Sequence, residues 1–192
     1  MSGFGKRLLE YVRHRASTGG AQIGNIVNKK PYCPRPLPEN LAVFSVRQEN
    51  ASKYWLVFTS NPASAFKNGI TGESIIGELD SSLSITPGHF HRNSVFKDVL
   101  HQVIAEITPE LLEAQEQARN TGEGWLYVID ARADDPQGEV PPEDIFGRFC
   151  VEHGEIIRGS YQMNPNHLFV TDRGLFRLDP KVHAALLARL RT

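Results

Sequence analysis

Strands and helices are predicted in separate blocks along this chain, and that order limits its fold more than any other feature. Leu41–Gln48 and Lys53–Thr59 are rich in Val and aromatic residues and predict two strands. The strongest helical periodicity comes later, over Val95–Gln117. Trp125–Ala131 is a nearly unbroken apolar run typical of a central strand, and Ile145–Glu152 predicts another. Because these elements do not alternate as βαβ units, the pattern predicts an α+β fold.

The folded domain is predicted to begin near Asn40. Residues 3–16 have the pattern of a short basic amphipathic helix. Ser17–Pro38 is rich in Gly, Asn and Pro and cannot hold a helix, so residues 1–39 are interpreted as a helix plus a tether and 40–192 as one domain. The basic helix has the composition to contact a membrane surface or a partner, although packing against its own domain is the simpler interpretation.

Composition excludes several classes of function. The formal net charge is -1. No strongly basic field is present to gather phosphates, so nucleic acid is not an expected partner. The longest apolar runs are shorter than a bilayer span, and the N-terminal residues lack the apolar region of a secretory signal peptide. The oligomeric state is left open.

Cysteine and histidine do not predict a metal site. The two cysteines, Cys33 and Cys150, have no metal or redox spacing. They could pair in an oxidising compartment, but two separate thiols in a reducing one are the simpler interpretation. His89, His91 and His101 lack a Cys or acidic partner at ligand spacing, so structural roles are expected for them.

Residues 56–70 resemble the opening motif of the pertussis- and cholera-toxin type ADP-ribosyltransferases. That motif reads aromatic-Arg-x-Asp-x-Arg-Pro-Pro-x-x-aliphatic-Phe-x-x-Gly-Phe. Its turn and short helix are matched at three positions, Pro62, Phe66 and Gly69. Leu56, Phe58 and Ser60 stand where the family has Arg, Asp and Arg. The resemblance therefore keeps the skeleton of the motif and loses its charged residues.

Two further segments extend the resemblance over roughly residues 53 to 170. Pro141–Ile145, followed by a hairpin at His153-Gly154, is similar to the Pro-Pro-Glu-Asn-Ile segment and the Asn-Gly hairpin of the family. Tyr127–Arg132 lies where the family has its Gly-x-x-Tyr-x-Tyr-x-Val strand. The resemblance implies a toxin-like split antiparallel sheet with flanking helices. It also implies that Lys53–Thr59 lies beside Trp125–Ala131 in one sheet.

The resemblance implies a degenerate NAD site. In that family a first-strand Arg forks onto the cofactor's phosphate and a Glu offsets the charge that develops on the ribose. Leu56 can donate no hydrogen bond, a loss of about 1.5–3 kcal/mol per charged bond. The remaining candidates to contact NAD are Arg47 and Ser84, the latter in the nearest match to the family's Ser-Thr-Ser strand. Gln137 and Glu139 match its Gln-x-Glu catalytic signature, although a solvated turn is the simpler interpretation of that pair.

Two functions are carried forward from the resemblance. The preferred one is an effector- or toxin-like pseudoenzyme that binds a protein partner with the old cleft or its rim, because Leu56, Phe58 and Ser81 replace the family's Arg, Asp and His. The alternative is an active mono-ADP-ribosyltransferase that modifies a protein, with Glu139 as catalytic carboxylate, Gln137 choosing the acceptor and NAD as cofactor. An unrelated interaction domain is the third possibility. The expected location is the cytoplasm, or a host cell reached without a classical signal peptide.

Overall fold

The computed structural model of the protein describes residues 22–48, 51–80, 83–135 and 138–190. Within these ranges the chain is mixed α+β, with four α-helices and open antiparallel sheets, as the order of elements in the sequence predicts. The described residues divide into two compact units. The first contains the residues up to Val99, Asp172–Leu175 and the residues from Leu187, and the second contains Leu100–Thr171 and Phe176–Leu186.

The first unit is built on a five-stranded sheet in which each strand pairs with the next along the chain. Its strands are β1 (Gln22–Ile26), β2 (Leu41–Gln48), β3 (Ala51–Phe58), β4 (Ile75–Leu79) and β5 (Phe90–Arg92). The β2–β3 hairpin is in continuous register from Leu41 opposite Phe58 to Gln48 opposite Ala51. The two strands predicted from the sequence in this region are therefore confirmed.

β1 lies in the stretch that the sequence analysis interprets as a tether. Its Ile23 is the Cα partner of Val46 on β2. Ile23 and Ile26 pack against the buried core of the first unit, so burial of two apolar side chains holds the segment on the sheet. Two isoleucines among Gly and Asn give too short a pattern to predict a strand.

The prediction of a loop over Ile70–Gly88 is wrong for its middle part, which forms β4. All five residues of β4 are buried, so its sequence shows no alternation of apolar and polar positions. Gly77 in this strand also interrupts the apolar sequence that would indicate a strand. A Cβ atom there would lie 2.5 Å from the carbonyl oxygen of His91 on β5, so the close strand approach requires glycine.

The helices of the described residues begin and end near the predicted residues, and the helix predicted over residues 3–16 lies outside the described residues. The described helices are α1 (Pro62–Asn68), α2 (Ser94–Ile107), α3 (Leu112–Thr121) and α4 (Pro180–Leu190), with short 3-10 turns at Gly72–Ser74, Thr108–Glu110 and Pro142–Asp144. Asn61 caps α1 by accepting a hydrogen bond from the Ser64 amide at 3.0 Å. Gly69, with φ of 100°, ends it. No helix among the described residues is long and apolar enough to cross a bilayer.

The second unit contains a four-stranded antiparallel sheet with β7 at its centre. Its strands are β6 (Gly124–Ile129), β7 (Ile145–Glu152), β8 (Glu155–Ile156) and β9 (Gln162–Met163), and β7 pairs with each of the others. The short strand β10 (Val170–Thr171) also belongs to the second unit, and β11 (Gly174–Leu175) belongs to the first. The predicted strand over Ile145–Glu152 and the hairpin turn after it are confirmed.

The prediction that Lys53–Thr59 lies beside Trp125–Ala131 in one sheet is wrong. β3 pairs with β2 on one side and with β4 on the other, so both of its edges are occupied. β6 belongs to the sheet of the second unit and pairs with β7.

Candidate functional site

The positions that the resemblance assigns to NAD binding on β3 are part of the core. Leu56 is 0% exposed, and its Cα partners are Val43 on β2 and Gly77 on β4. Phe58 is 2% exposed and packs on Phe96, with ring centroids 6.2 Å apart. Both side chains therefore stabilise the first unit, and neither reaches a ligand at the surface.

A groove of about 710 Å³ lies in the first unit next to Leu56. Its wall comes mainly from residues 26–43, with Leu56 behind them and Pro62 at one end. Lys29 and Lys30 line it and are exposed, and Arg35 lines it half-buried. Its volume is that of an ordinary ligand pocket, and its basic lining favours an anion.

Ser84 is not among the described residues that line this groove. Arg47 is opposite Ser52 on the β2–β3 ladder, four positions from Val43, the partner of Leu56. Four positions span roughly 13 Å of strand, which separates the backbone of Arg47 from the Leu56 position. The hydroxyl of Ser84 lies 3.3 Å from that of Thr86.

Glu139 is exposed in the acidic loop between β6 and β7. The neighbouring Gly138 amide donates to the Asp135 carboxylate at 3.0 Å, which closes a local turn. Gln137 and Ser81 lie outside the described residues. What the structure describes of the Gln-x-Glu signature is thus a solvated turn.

A charged network at the centre of the second unit was missed by sequence reasoning. Asp130, Arg132, Asp144 and His167 are 0%, 1%, 0% and 1% exposed. Nε of Arg132 lies 2.8 Å from Oδ1 of Asp144 and 3.3 Å from Oδ2 of Asp130. Oδ2 of Asp130 also lies 3.2 Å from Nε2 of His167.

Arg132 also joins backbone segments that are far apart in sequence. Its guanidinium donates to the carbonyl oxygens of Glu143 at 2.9 Å, Leu168 at 2.5 Å and Phe169 at 3.1 Å. Asp130 accepts hydrogen bonds from the amides of Arg132 and Arg177. The network is almost completely buried. It therefore connects the loops around the sheet and has no accessible surface for a substrate to contact.

The outward side of the four-stranded sheet carries exposed aromatic side chains. Leu126 points inward and is 2% exposed, whereas its neighbours Trp125 and Tyr127 are 38% and 45% exposed. Arg148 on β7 is the Cα partner of Tyr127, and Met163 on β9 is 40% exposed. We call Trp125, Tyr127 and Arg148 the aromatic face; Met163 is the Cα partner of Gly147 and therefore belongs to the other side of the sheet.

Arg148 orders this face. Its guanidinium carbon lies 4.0 Å from the centre of the Trp125 ring, in cation–π contact. Nε and Nη2 donate to the side-chain oxygen of Gln162 at 3.1 and 3.0 Å. An open groove of about 430 Å³ runs from Tyr127 to Pro165. Arg148 is the single charged residue in its lining.

The interpretation of Trp125–Ala131 as a central strand is wrong, because β6 pairs with β7 alone among the described strands. An unbroken apolar run suggests burial on both sides. The informative signal was the type of the residues rather than their hydrophobicity. Trp125 and Tyr127 flank Leu126 in the sequence. Each of these side chains has one polar atom, so it can lie at the surface at a lower cost than a purely apolar side chain.

In comparisons with protein-family models, curated proteins and solved structures, the chain matches none.

Proposed function

We propose that this chain is a non-catalytic, effector-like protein that acts by binding a protein partner through the aromatic face. Trp, Tyr and Arg are enriched at protein interfaces and dominate binding hot spots. Trp125, Tyr127 and Arg148 are neighbours on one sheet surface. Their joint exposure is the observation that carries the proposal.

An ADP-ribosyltransferase-like scaffold is part of this proposal and is supported by local features. β3, the Asn61–Pro62 turn and α1 follow one another in the order of the family's opening motif. The strand pairing expected from the family is not found, as described above. Leu56 supports the loss of catalysis, because an aliphatic side chain with no exposed surface takes the position of the cofactor-binding Arg.

A protein fits the aromatic face better than a nucleic acid does. Proteins that bind single strands combine stacking aromatics with a basic groove that tracks the phosphates. The groove beside Tyr127 has Arg148 as its one charged residue, and the formal net charge of the chain is -1. One guanidinium suits a single carboxylate rather than a run of phosphates.

Millimolar NAD tests the non-catalytic part of the proposal. A ligand at one hundred times its dissociation constant adds about 2.7 kcal/mol of stability, which raises Tm by roughly 5 to 10 °C at this size. We expect no rise in Tm with NAD. A clear rise that is absent from Glu139→Ala would contradict the proposal and identify an active transferase.

The active transferase remains the second candidate because of the basic groove beside Leu56. Lys29 and Lys30 are placed to contact a dinucleotide's phosphates in a cavity of suitable volume. On this alternative, a Lys29→Ala/Lys30→Ala variant loses an NAD-dependent rise in Tm that the wild type has. An equal rise in an Arg47→Ala variant would exclude Arg47 as the residue that holds NAD.

Paired surface variants test the binding part. Trp125→Ala/Tyr127→Ala removes the rings of the aromatic face, and Leu112→Ala removes another exposed apolar side chain of the second unit, which is 62% exposed. We expect proteins that co-purify with the wild type and with Leu112→Ala to be absent from the double variant. Co-purification of the same proteins with all three would contradict a role for this face.

A further inference from the structure

The outer edge of β6 has backbone groups that point away from the sheet. Cys150 on β7 is the Cα partner of Trp125. Its amide donates to the Ser160 hydroxyl at 2.9 Å, and its carbonyl accepts from the Ile157 amide at 2.9 Å. Both backbone groups of Cys150 therefore point away from β6. In an antiparallel pair the opposite residue then also directs its amide and carbonyl away, so those of Trp125 point outward.

The same alternation applies two residues further along β6. Tyr127 is opposite Arg148, and Arg148 pairs with Gln162 of β9 on its other side. The amide and carbonyl of Tyr127 thus also point outward. Within the described ranges, Trp125 and Tyr127 have no backbone hydrogen-bond partner on that side.

The part of this edge from Trp125 to Tyr127 lacks the devices that normally prevent strand addition, because the register irregularity of the β6–β7 pairing lies beyond it, between Val128 and Ile129. Natural edge strands are short, charged, interrupted by proline or bulged. β5 contains His91 and Arg92, β1 has a register irregularity, and β8 and β9 have two residues each. β6 has the sequence Gly-Trp-Leu-Tyr-Val-Ile, with no charge and no proline.

We infer that the edge of β6 receives an extended segment of a partner protein as an added strand, and that an acidic side chain of this segment pairs with Arg148. This inference rests on the proposed function and specifies how the partner is recognised. Main-chain hydrogen bonds to Trp125 and Tyr127 supply affinity, and side chains that alternate over the aromatic face supply specificity.

The positive charge of Arg148 is the reason to expect an acidic segment. The guanidinium of Arg148 lies over the Trp125 ring of β6, and its Nε and Nη2 bond Gln162 on β9, so an acidic side chain of the added strand reaches it across the Trp125 ring. Among the described residues, the groove that it lines contains no carboxylate. A second copy paired antiparallel around Leu126 would not supply one. Antiparallel self-pairing of β6 around Leu126 would place Trp125 of the copy beside Tyr127 and, next in the same row, Cys150 of the copy.

Amide hydrogen exchange followed by NMR tests the inference with a peptide selected on the full chain from a displayed library of random short peptides. In the unbound protein we expect fast exchange at Trp125 and Tyr127 and slow exchange at Leu126, whose amide faces β7. The bound peptide should slow exchange at both outward amides. Arg148→Gln should weaken binding of a selected Glu-containing peptide by roughly tenfold or more, and should leave its Glu→Gln analogue unaffected.

A matched pair of variants isolates the backbone contribution. Tyr127→Pro removes an outward amide, a change that edge strands tolerate, and Tyr127→Ala removes the same ring but keeps the amide. We expect peptide binding to be lost in the first and only weakened in the second.

Three results would overturn strand addition. Peptides that need the Trp125 and Tyr127 side chains but leave both amides in fast exchange would overturn strand addition and leave the proposed function standing. Selection of no peptide that depends on these side chains would overturn the proposed function as well. Slow exchange at both amides without peptide, together with a dimeric mass, would assign the edge to a second copy.

Discussion

The hydroxyl oxygen of Tyr161 lies 2.8 Å from Nδ1 of His101, and the same hydroxyl donates to the carbonyl of Phe146 at 3.2 Å. Burial raises the pKa of Tyr161 well above its ordinary value of 10.0. The folded state then keeps its proton at alkaline pH values where the unfolded state loses it. Stability from this group is complete below pH 10 and falls above it, by about 1.4 kcal/mol per pH unit, until the folded pKa is reached.

Tyr161→Phe should therefore reduce the loss of stability above pH 10. Urea unfolding at several alkaline pH values measures the slope, and Tyr32→Phe is the control because Tyr32 is 65% exposed. At neutral pH the variant should lose about 0.5–1.5 kcal/mol for each hydrogen bond removed. An alkaline slope as steep as that of the wild type would contradict the assignment.

Replacing Arg132 should destabilise the protein strongly. Arg132→Met keeps most of the side-chain volume but leaves Asp130 and Asp144 buried without their cation, which costs about 3–5 kcal/mol. Arg158→Met is the control, since Arg158 pairs with Glu110 at the surface, where ion pairs contribute about 0–1 kcal/mol. Equal urea midpoints for the two variants would mean that the buried network contributes little.

Gly77→Ala should destabilise the first sheet. The new Cβ would lie 2.5 Å from the His91 carbonyl oxygen and 2.5 Å from a ring carbon of Phe90, so β4 and β5 would have to separate. Such overpacking typically costs about 1–3 kcal/mol. Gly88→Ala, which meets nothing within 4 Å, should change the unfolding free energy by less than about 0.5 kcal/mol. Thermal unfolding of both variants measures the difference in stability, and equal Tm values would contradict so close a contact at Gly77.

An arginine at position 56, where the ADP-ribosyltransferase motif has one, should not confer NAD binding. The site is completely buried, so Leu56→Arg places an isolated charge in the core and should lower Tm sharply. Leu56→Met, a volume-conserving change, should cost less than about 1.5 kcal/mol. A Leu56→Arg variant that is as stable as the wild type and gains an NAD-dependent rise in Tm would place this residue in a cofactor site.

Short sequence motifs predicted the elements that residues nearby in the sequence stabilise. Asn61-Pro62 and Gly69 fixed both ends of α1, and Ile145–Glu152 appears with its predicted bounds. β1 and β4 were missed because their places in the sheet depend on neighbours distant in sequence. β4 in particular is buried throughout, which removes the alternation that identifies a strand.

The candidate site was less predictable than the fold. Trp125–Ala131 was interpreted as a central strand, because hydrophobicity alone does not distinguish an edge strand from a central one. The buried network depends on partners up to 47 positions apart, such as Asp130 and Arg177, and sequence periodicity contains no information about contacts of that range. Residue type, rather than pattern, was the usable signal for the exposed face.

The position of Arg132 also restricts how the second unit assembles. A guanidinium leaves water at a tolerable free energy only when its acceptors are already in place. Those acceptors come from two loops, one with residues 143 and 144 and the other with residues 168 and 169. An intermediate in which only one loop has closed would therefore contain a cation without all of its acceptors. Folding of this unit should therefore pass through a late, concerted step in which both loops arrive together, and its rate should depend on closing the longer one.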